Sequence, residues 1–209
     1  MKTTLLLIRH GETEWNTQGR FQGCTDIDLS EEGIKQAELL KKRLNGNFDY
    51  IYTSPLSRAL KTANIIASDT DKEVITAPEI REINFGEWEG LTIHEISEKY
   101  PEIFKAWRTD KVESYISGGD LSIRNAANRA SKCILDIVSK HKGKKIIIVA
   151  HGGIIKAGLI GIFEWDMTMY HKILLGNTCI NTINFNDELM PSILSLNDTN
   201  HIGDKIKKV

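Results

Sequence analysis

The sequence predicts an α/β fold, a three-layer sandwich in which helices flank a mostly parallel central sheet. Short apolar runs of strand length alternate with segments of helical periodicity through the first three quarters of the chain. Two of these runs, Leu5 to Ile8 and Ile146 to Val149, are apolar at every position, as in strands covered on both faces. The length also fits. A domain of 209 residues, 41% of them hydrophobic, buries roughly 70% of the surface its unfolded chain exposes. With no repeat or linker visible, residues 1–209 read as one domain.

The first strand is expected over Thr3 to Ile8, followed by a polar, turn-rich stretch from Gly11 to Leu29. Ser30 suits a helix N-cap, and Ile34, Ala37, Leu40 and Leu44 line one face of the helix it starts. Tyr50 to Thr53 reads as a second strand, stopped by Ser54-Pro55, and Leu56 to Ala67 as a second helix. A third strand over Glu73 to Thr76 closes at Pro78, and Glu79 to Gly90 is irregular and charged. Two short helical pieces flank Pro101, over Ile93 to Tyr100 and Ile103 to Trp107. The segment 101–121, with Phe104, Trp107, Arg108 and Tyr115, is expected to shape the substrate pocket as a lid; the same aromatics would equally well cover the core. Gly118-Gly119 leads into a long helix from Ser122 to His141, and Lys145 to Ala150 forms the next strand. Strands near Cys179 to Phe185 and Ile193 to Leu196 finish the fold, and residues 203–209 form a short basic tail expected to fray.

The 27 basic and 28 acidic side chains leave a net charge of -1, without the basic excess of proteins that live on nucleic acid. A small arginine-lined pocket would not register in that sum. No segment approaches the ~18 apolar residues of a membrane span, and the Leu5 to Ile8 run is too short for a signal peptide. Cys24, Cys133 and Cys179 are scattered and form no C-x-x-C pair, which speaks against a zinc site or disulfide framework. The expectation is a cytoplasmic protein with no nucleic-acid or membrane partner. The oligomeric state stays open, a homodimer included.

The informative feature is a near-repetition. Leu-Leu-Leu-Ile-Arg9-His10-Gly11 and Ile-Ile-Ile-Val-Ala150-His151-Gly152 each run from a buried strand straight into His-Gly. Open parallel sheets bind ligands beyond the carboxyl ends of their strands, so the two imidazoles could face one pocket. The glycine after each allows a sharp turn and close approach of a ligand. One histidine at a strand end is most often a polar cap; two in the same setting point to chemistry. His94, His141, His171 and His201 have no such setting and read as surface or capping residues. Arg9 and Arg58, the latter early in a helix at the same sheet edge, suit phosphate, which accepts the forked donors of guanidinium.

Leu-Ile-Arg9-His10-Gly11-Glu12-Thr13, then Asn16, Tyr52-Thr53-Ser54-Pro55-Leu56-Ser57-Arg58-Ala59, Arg81-Glu82-Ile83-Asn84-Phe85-Gly86-Glu87-Trp88-Glu89-Gly90 and Ala150-His151-Gly152-Gly153 carry a resemblance. In motif, order and spacing they resemble the histidine phosphatase superfamily, also called phosphoglycerate-mutase-like. The resemblance implies that fold, with no cofactor and no metal, and a small phosphorylated metabolite as substrate. It implies that His10 is transiently phosphorylated, which requires a neutral imidazole with one nitrogen free and the other held by a backbone carbonyl. Arg9, Arg58 and His151 would clamp the phosphoryl group, His151 contributing most as an imidazolium, with Asn16, Gln22, Gly23 and Gly152 also on the phosphate. Glu82 stands at the family's proton-transfer position; on composition alone Glu79, Glu87 and Glu89 remain alternatives.

Other phosphatase signatures are missing. No cysteine has an arginine six positions later, and Asp26-Ile27-Asp28 follows Gly-Cys-Thr instead of an apolar strand. There is no H-E-x-x-H and no P-loop motif. Within the family, mutases carry an insertion after the Glu82 position with adjacent arginines, which this chain lacks. That favours the phosphatase branch, which includes broad-specificity and α-ribazole phosphatases, over a phosphoglycerate mutase or a non-catalytic binder. In one departure, Gly119-Asp120-Leu121-Ser122 stands where this branch usually has Gly-Glu-Ser, which puts a ligand-shaping role of that loop in doubt.

Overall fold

In the computed structural model, which describes residues 2–203, six strands form the sheet. They are β1 (Thr3–Arg9), β2 (Tyr50–Thr53), β3 (Val74–Thr76), β4 (Lys145–Ala150), β5 (Ile180–Phe185) and β6 (Pro191–Asp198). Their order across the sheet is β3-β2-β4-β1-β5-β6. The first four are mutually parallel, and β5 and β6 add antiparallel strands beyond β1. The expected mostly parallel α/β sheet is therefore present. The basic tail expected to fray lies, from residue 204 on, outside the described residues.

Seven α-helices connect the strands among the described residues: α1 (Glu14–Thr17), α2 (Glu31–Leu44), α3 (Ser57–Ala67), α4 (Ile93–Lys99), α5 (Pro101–Thr109), α6 (Ile123–Lys140) and α7 (Gly152–Ile162). Alternation along the central strands divides the core in two. Leu6, Ile8, Ile147 and Val149 point to α2 and α3, meeting Leu40, Leu44, Ala59, Ala63 and Ile66. Leu5, Leu7, Ile146 and Ile148 point the other way, to α6 and α7. The all-apolar runs of β1 and β4 follow from this double covering.

Ser30 caps α2 as its side chain predicts, accepting from the Gly33 amide at 3.1 Å. α5 starts at Pro101 itself, two residues earlier than expected, because proline at the first helical position already has helical φ and needs no N–H partner. α7 has no counterpart in the sequence reading. Its glycines at 152, 153, 158 and 161 argue against a helix on propensity. Tertiary packing explains two of them. A Cβ on Gly161 would lie 2.8 Å from the Ala127 carbonyl oxygen, and one on Gly158 2.8 Å from Ile134, so α7 sits directly against α6.

The expected reason for glycine after His10 also changes. A Cβ on Gly11 would lie 2.4 Å from the carbonyl oxygen of Gly33, and one on Gly33 2.1 Å from that of Glu12. The loop beyond β1 thus lies in backbone contact with the first turn of α2, pinned further by Ser30 N–H to Glu12 C=O and Glu12 N–H to Gln36 Oε1. Close approach of two backbones, not ligand access, requires the glycine. Gly33→Ala should therefore cost about 1–3 kcal/mol, as overpacking of rigid neighbours does. Urea unfolding would show it as a lower midpoint at unchanged slope, and an undisturbed midpoint would contradict the close packing.

Candidate active site

Parallel pairing of β1 with β4 aligns Ile8 with Val149 and Arg9 with Ala150. His10 and His151 therefore leave the sheet side by side, and their ring centroids lie 5.1 Å apart. Both are buried. His10 Nδ1 lies 2.6 Å from the Gly11 carbonyl, an acceptor, so Nδ1 carries the proton and Nε2 keeps its lone pair. His151 has the opposite tautomer. Arg58 Nε donates to its Nδ1 at 3.1 Å, and Nε2–H donates to Ser54 Oγ at 2.7 Å.

Burial holds the His10 pKa well below its ordinary value, helped by the Arg58 and Arg9 charges. Burial does the same to His151, followed by Arg58, His10 and Arg9. Contrary to the expectation of a cationic clamp, His151 is a neutral imidazole in the free protein, because two guanidinium groups already fill its surroundings with positive charge.

Those guanidinium groups have no carboxylate within ion-pair distance among the described residues. Arg9 donates through Nη1 to the Leu175 carbonyl, and its buried Nε has no partner. Arg58, fully buried near the start of α3, donates to the carbonyls of Gly23 and Thr25 at 2.8 and 2.9 Å. Carbonyls fix their orientation without neutralising them. Glu82 offsets their charge only from a distance, and buried cations without a contact ion pair are costly, so the site suits an anion that arrives from solution.

The loop at Gln22-Gly23-Cys24 is shaped for the same purpose. Gly23 has φ of +56°, and a Cβ there would collide with the Glu89 carboxylate. Glu89 holds the loop by accepting from the Cys24 and Thr25 amides at 2.9 and 3.0 Å. It organises the loop and lies outside the pocket wall, as do Glu79 and Glu87. Asn16 Oδ1 caps α1 through Thr13 and accepts from Asn177, and its Nδ2 has no hydrogen-bond partner among the described residues. Gln22 Oε1 is buried without a partner.

Of the candidate acids, Glu82 alone lines the cavity. Oε1 accepts from the Ile83 and Ile154 amides at 2.9 and 2.7 Å, and Oε2 accepts only from Gly153 at 3.0 Å. Glu82 therefore caps α7 in place of the missing side-chain cap at His151. Oε2, with one bond, keeps a lone pair for a proton.

The cavity has a volume of about 190 Å³ and is lined by Arg9, His10, Asn16, Gln22, Gly23, Arg58, Glu82 and Gly152. Apart from the alternative acids Glu79, Glu87 and Glu89, all the sequence-derived candidates except the fully buried His151 stand in this wall. His151 lies behind it, reaching the site through Arg58 and the His10 ring. Arg20, Phe21, Phe85, Gly153, Lys156, Tyr170 and Ile173 to Leu175 complete the lining. None of residues 101–121 reaches the cavity. Trp107, buried at its back, stacks edge-on against Phe21 and Tyr170, and Asp120 accepts from the Asn84 amide at 2.8 Å. Trp107 and Phe104 pack on the core while Tyr115 is exposed, and residues 170–175 contribute to the cavity wall instead. The sequence reading missed Lys156 and Tyr170, which follow His151 on an unforeseen helix and a 3₁₀ turn.

The family model described as "Histidine phosphatase superfamily (branch 1)" matches residues 5–199. Phosphoserine phosphatase 1 of Hydrogenobacter thermophilus is 36% identical over 201 residues, covering 96% of this chain and 94% of its own. A metal-independent phosphoserine phosphatase of Arabidopsis thaliana is 36% identical over 204 residues, covering 96% of this chain and 84% of its own. A crystal structure of a phosphoserine phosphatase mutant from Entamoeba histolytica, in complex with phosphoserine, superposes with a TM-score of 0.90. It is 42% identical and covers 96% of this chain and 99% of that one.

The buried neutral histidines make stability depend on pH. Both folded-state pKa values lie below the unfolded value near 6.5, so below that pH the unfolded chain binds protons that the folded protein refuses. Stability is complete above pH 6.5 and falls as pH drops. Between pH 7.5 and 5.5, His10 and His151 should each remove stability, as should His171 and His201, which burial lowers to about 4. Urea unfolding at the two pH values measures the combined loss, and His151→Gln should recover part of it.

Proposed function

The chain belongs to the histidine phosphatase superfamily and is a phosphatase of it, and we propose that His10 is the nucleophile that carries the phosphoryl group. One observation carries the assignment: His10 offers a free Nε2 lone pair, its Nδ1 proton held by the Gly11 carbonyl, toward a cavity with two guanidinium groups that have no contact ion pair. In the first step Nε2 attacks phosphorus, the P–N bond forms and the ester P–O bond breaks. Arg9 and Arg58 neutralise the charge spread over the equatorial oxygens, with the Asn16 amide and the Gly23 loop alongside. Glu82 gives the leaving oxygen its proton. In the second step water attacks phosphorus, the P–N bond breaks, Glu82 recovers a proton from the water and orthophosphate leaves.

Neutral His151 positions Arg58 through Nδ1 and is itself oriented by Ser54. It accepts the proton-poor role that a neighbour of two cations must take, and gains a counter-ion only when the phosphate enters. The substrate class we assign is small phosphomonoesters, with O-phosphoserine as the leading candidate. The size of the cavity and the phosphoserine phosphatases among the relatives support it. Among the described residues no helix is long and apolar enough to cross a membrane.

Replacing His10 by Ala should lower kcat/KM by about 10⁴-fold or more while the thermal midpoint stays near that of the wild type. A quench with ³²P-labelled substrate should leave acid-labile, alkali-stable label on the wild type and none on the variant. Persistent label on the variant would remove His10 from the nucleophile position.

Hydrolysis and mutase activity share the phosphohistidine and differ in what accepts the phosphoryl group next. A mutase must hold the dephosphorylated product and exclude water, which calls for further basic contacts and a closing insert. The stretch from Ile83 to Asp120 contains one arginine, Arg108, and residues 101–121 form no part of the cavity wall. With 3-phosphoglycerate as substrate, free phosphate should therefore outrun isomer formation, and a bisphosphate primer should not reverse the order. Primer-stimulated isomer formation faster than phosphate release would make the chain a mutase.

A further inference from the structure

Two donors in the cavity are not used by the chemistry above. Lys156 is one helical turn along α7 from Gly152, and its Nζ lies 4.2 Å from the centroid of the Tyr170 ring. Neither Lys156 nor the Tyr170 hydroxyl has a hydrogen-bond acceptor among the described residues, and Lys156 has no ion-pair partner there. The remaining cation of the wall, Arg20, is already engaged by the Gly90 carbonyl and by Glu95. Arg9 and Arg58 belong to the phosphate. The cavity thus holds one cation more than a lone phosphoryl group needs.

We propose that Lys156 and Tyr170 form a carboxylate subsite that selects phosphomonoesters whose alcohol carries a carboxylate on the carbon next to the ester-bearing one. The assignment rests on the phosphatase reading above and names the part of the substrate that this end of the cavity recognises. The reach fits. Four residues of helix rise about 6 Å, and phosphorus and the carboxyl carbon of phosphoserine, four bonds apart, span roughly 5 Å. The chemistry fits as well. The aromatic face holds the ammonium in place by a cation–π contact while leaving its protons for an acceptor. Burial keeps the Tyr170 hydroxyl protonated, so it can only donate to an anion. Burial, followed by the Arg9 charge, lowers Lys156 to about 8 against the opposing charge of Glu82, and an arriving carboxylate would favour the ammonium further.

O-phosphoserine and O-phosphoethanolamine differ by that carboxylate alone, so the ratio of their kcat/KM values reads the subsite. The wild type should favour phosphoserine at least tenfold. Lys156→Met keeps the aliphatic stem and removes the charge, and should reduce the ratio tenfold or more, mainly through KM for phosphoserine. Lys156→Arg should retain most of the preference, which separates lost charge from a damaged helix. Equal kcat/KM for the two substrates in the wild type, or an unchanged ratio in Lys156→Met, overturns the subsite. Failure of the phosphatase reading would look different: no His10-dependent phosphate release from p-nitrophenyl phosphate, which has no carboxylate to recognise.

Discussion

The pairing of β1 with β4 is the constraint from which the site follows. Neither strand is a neighbour of the other in sequence, yet their parallel register sets Arg9 opposite Ala150 and so places His10 and His151 at one level. A slip by one residue would turn every side chain of β1 to the other face, exchanging the two cores as well as displacing the histidine. The apolar content of both strands makes that slip costly on both faces at once. The position of the imidazoles is thus secured by roughly a dozen buried side chains that take no part in the chemistry.

Around that pair, polar groups are arranged by backbone atoms more than by other side chains. Carbonyls of Gly11, Gly23, Thr25 and Leu175 fix His10, Arg58 and Arg9. Backbone amides of Ile83, Gly153 and Ile154 fix Glu82. This leaves the arginines without a carboxylate in contact, where such a partner would have competed with substrate. The free protein is electrostatically strained toward binding an anion, and the neutral histidines are the visible response: protonation of either would add charge where two cations are already buried. Glu82 links this field to the fold, since the carboxylate that faces the cavity also terminates α7.

Much of this was legible in the chain. His-Gly after two apolar runs, arginine beside the first of them and early in the helix after the second strand, and the Arg-Glu-Ile stretch located Arg9, His10, Arg58, Glu82 and His151, and the structure brings all five to one place. The protonation of His151 was not legible, because it depends on how many cations surround a ring, and that number is a property of the packed state. The role of 101–121 stayed open for a similar reason. Its aromatics suit a lid or a core equally well by type, and Trp107 settles the matter only by lying between Phe21 and Tyr170.

Local pattern determined the strands, the two His-Gly ends and the family to which they belong, because those signals rest on apolar runs and short motifs read within a few residues. Only the tertiary structure decided the rest. α7 forms despite four glycines because Gly158 and Gly161 give it a seat on α6, a gain that no propensity scale contains. Gly11 and Gly33 are required by each other, 22 positions apart. Lys156 and Tyr170 meet at the cavity because a helix and a 3₁₀ turn fold back over the strand ends. Each is a contact between segments distant in sequence, and such contacts come into being only when the sheet closes and the two cores fill.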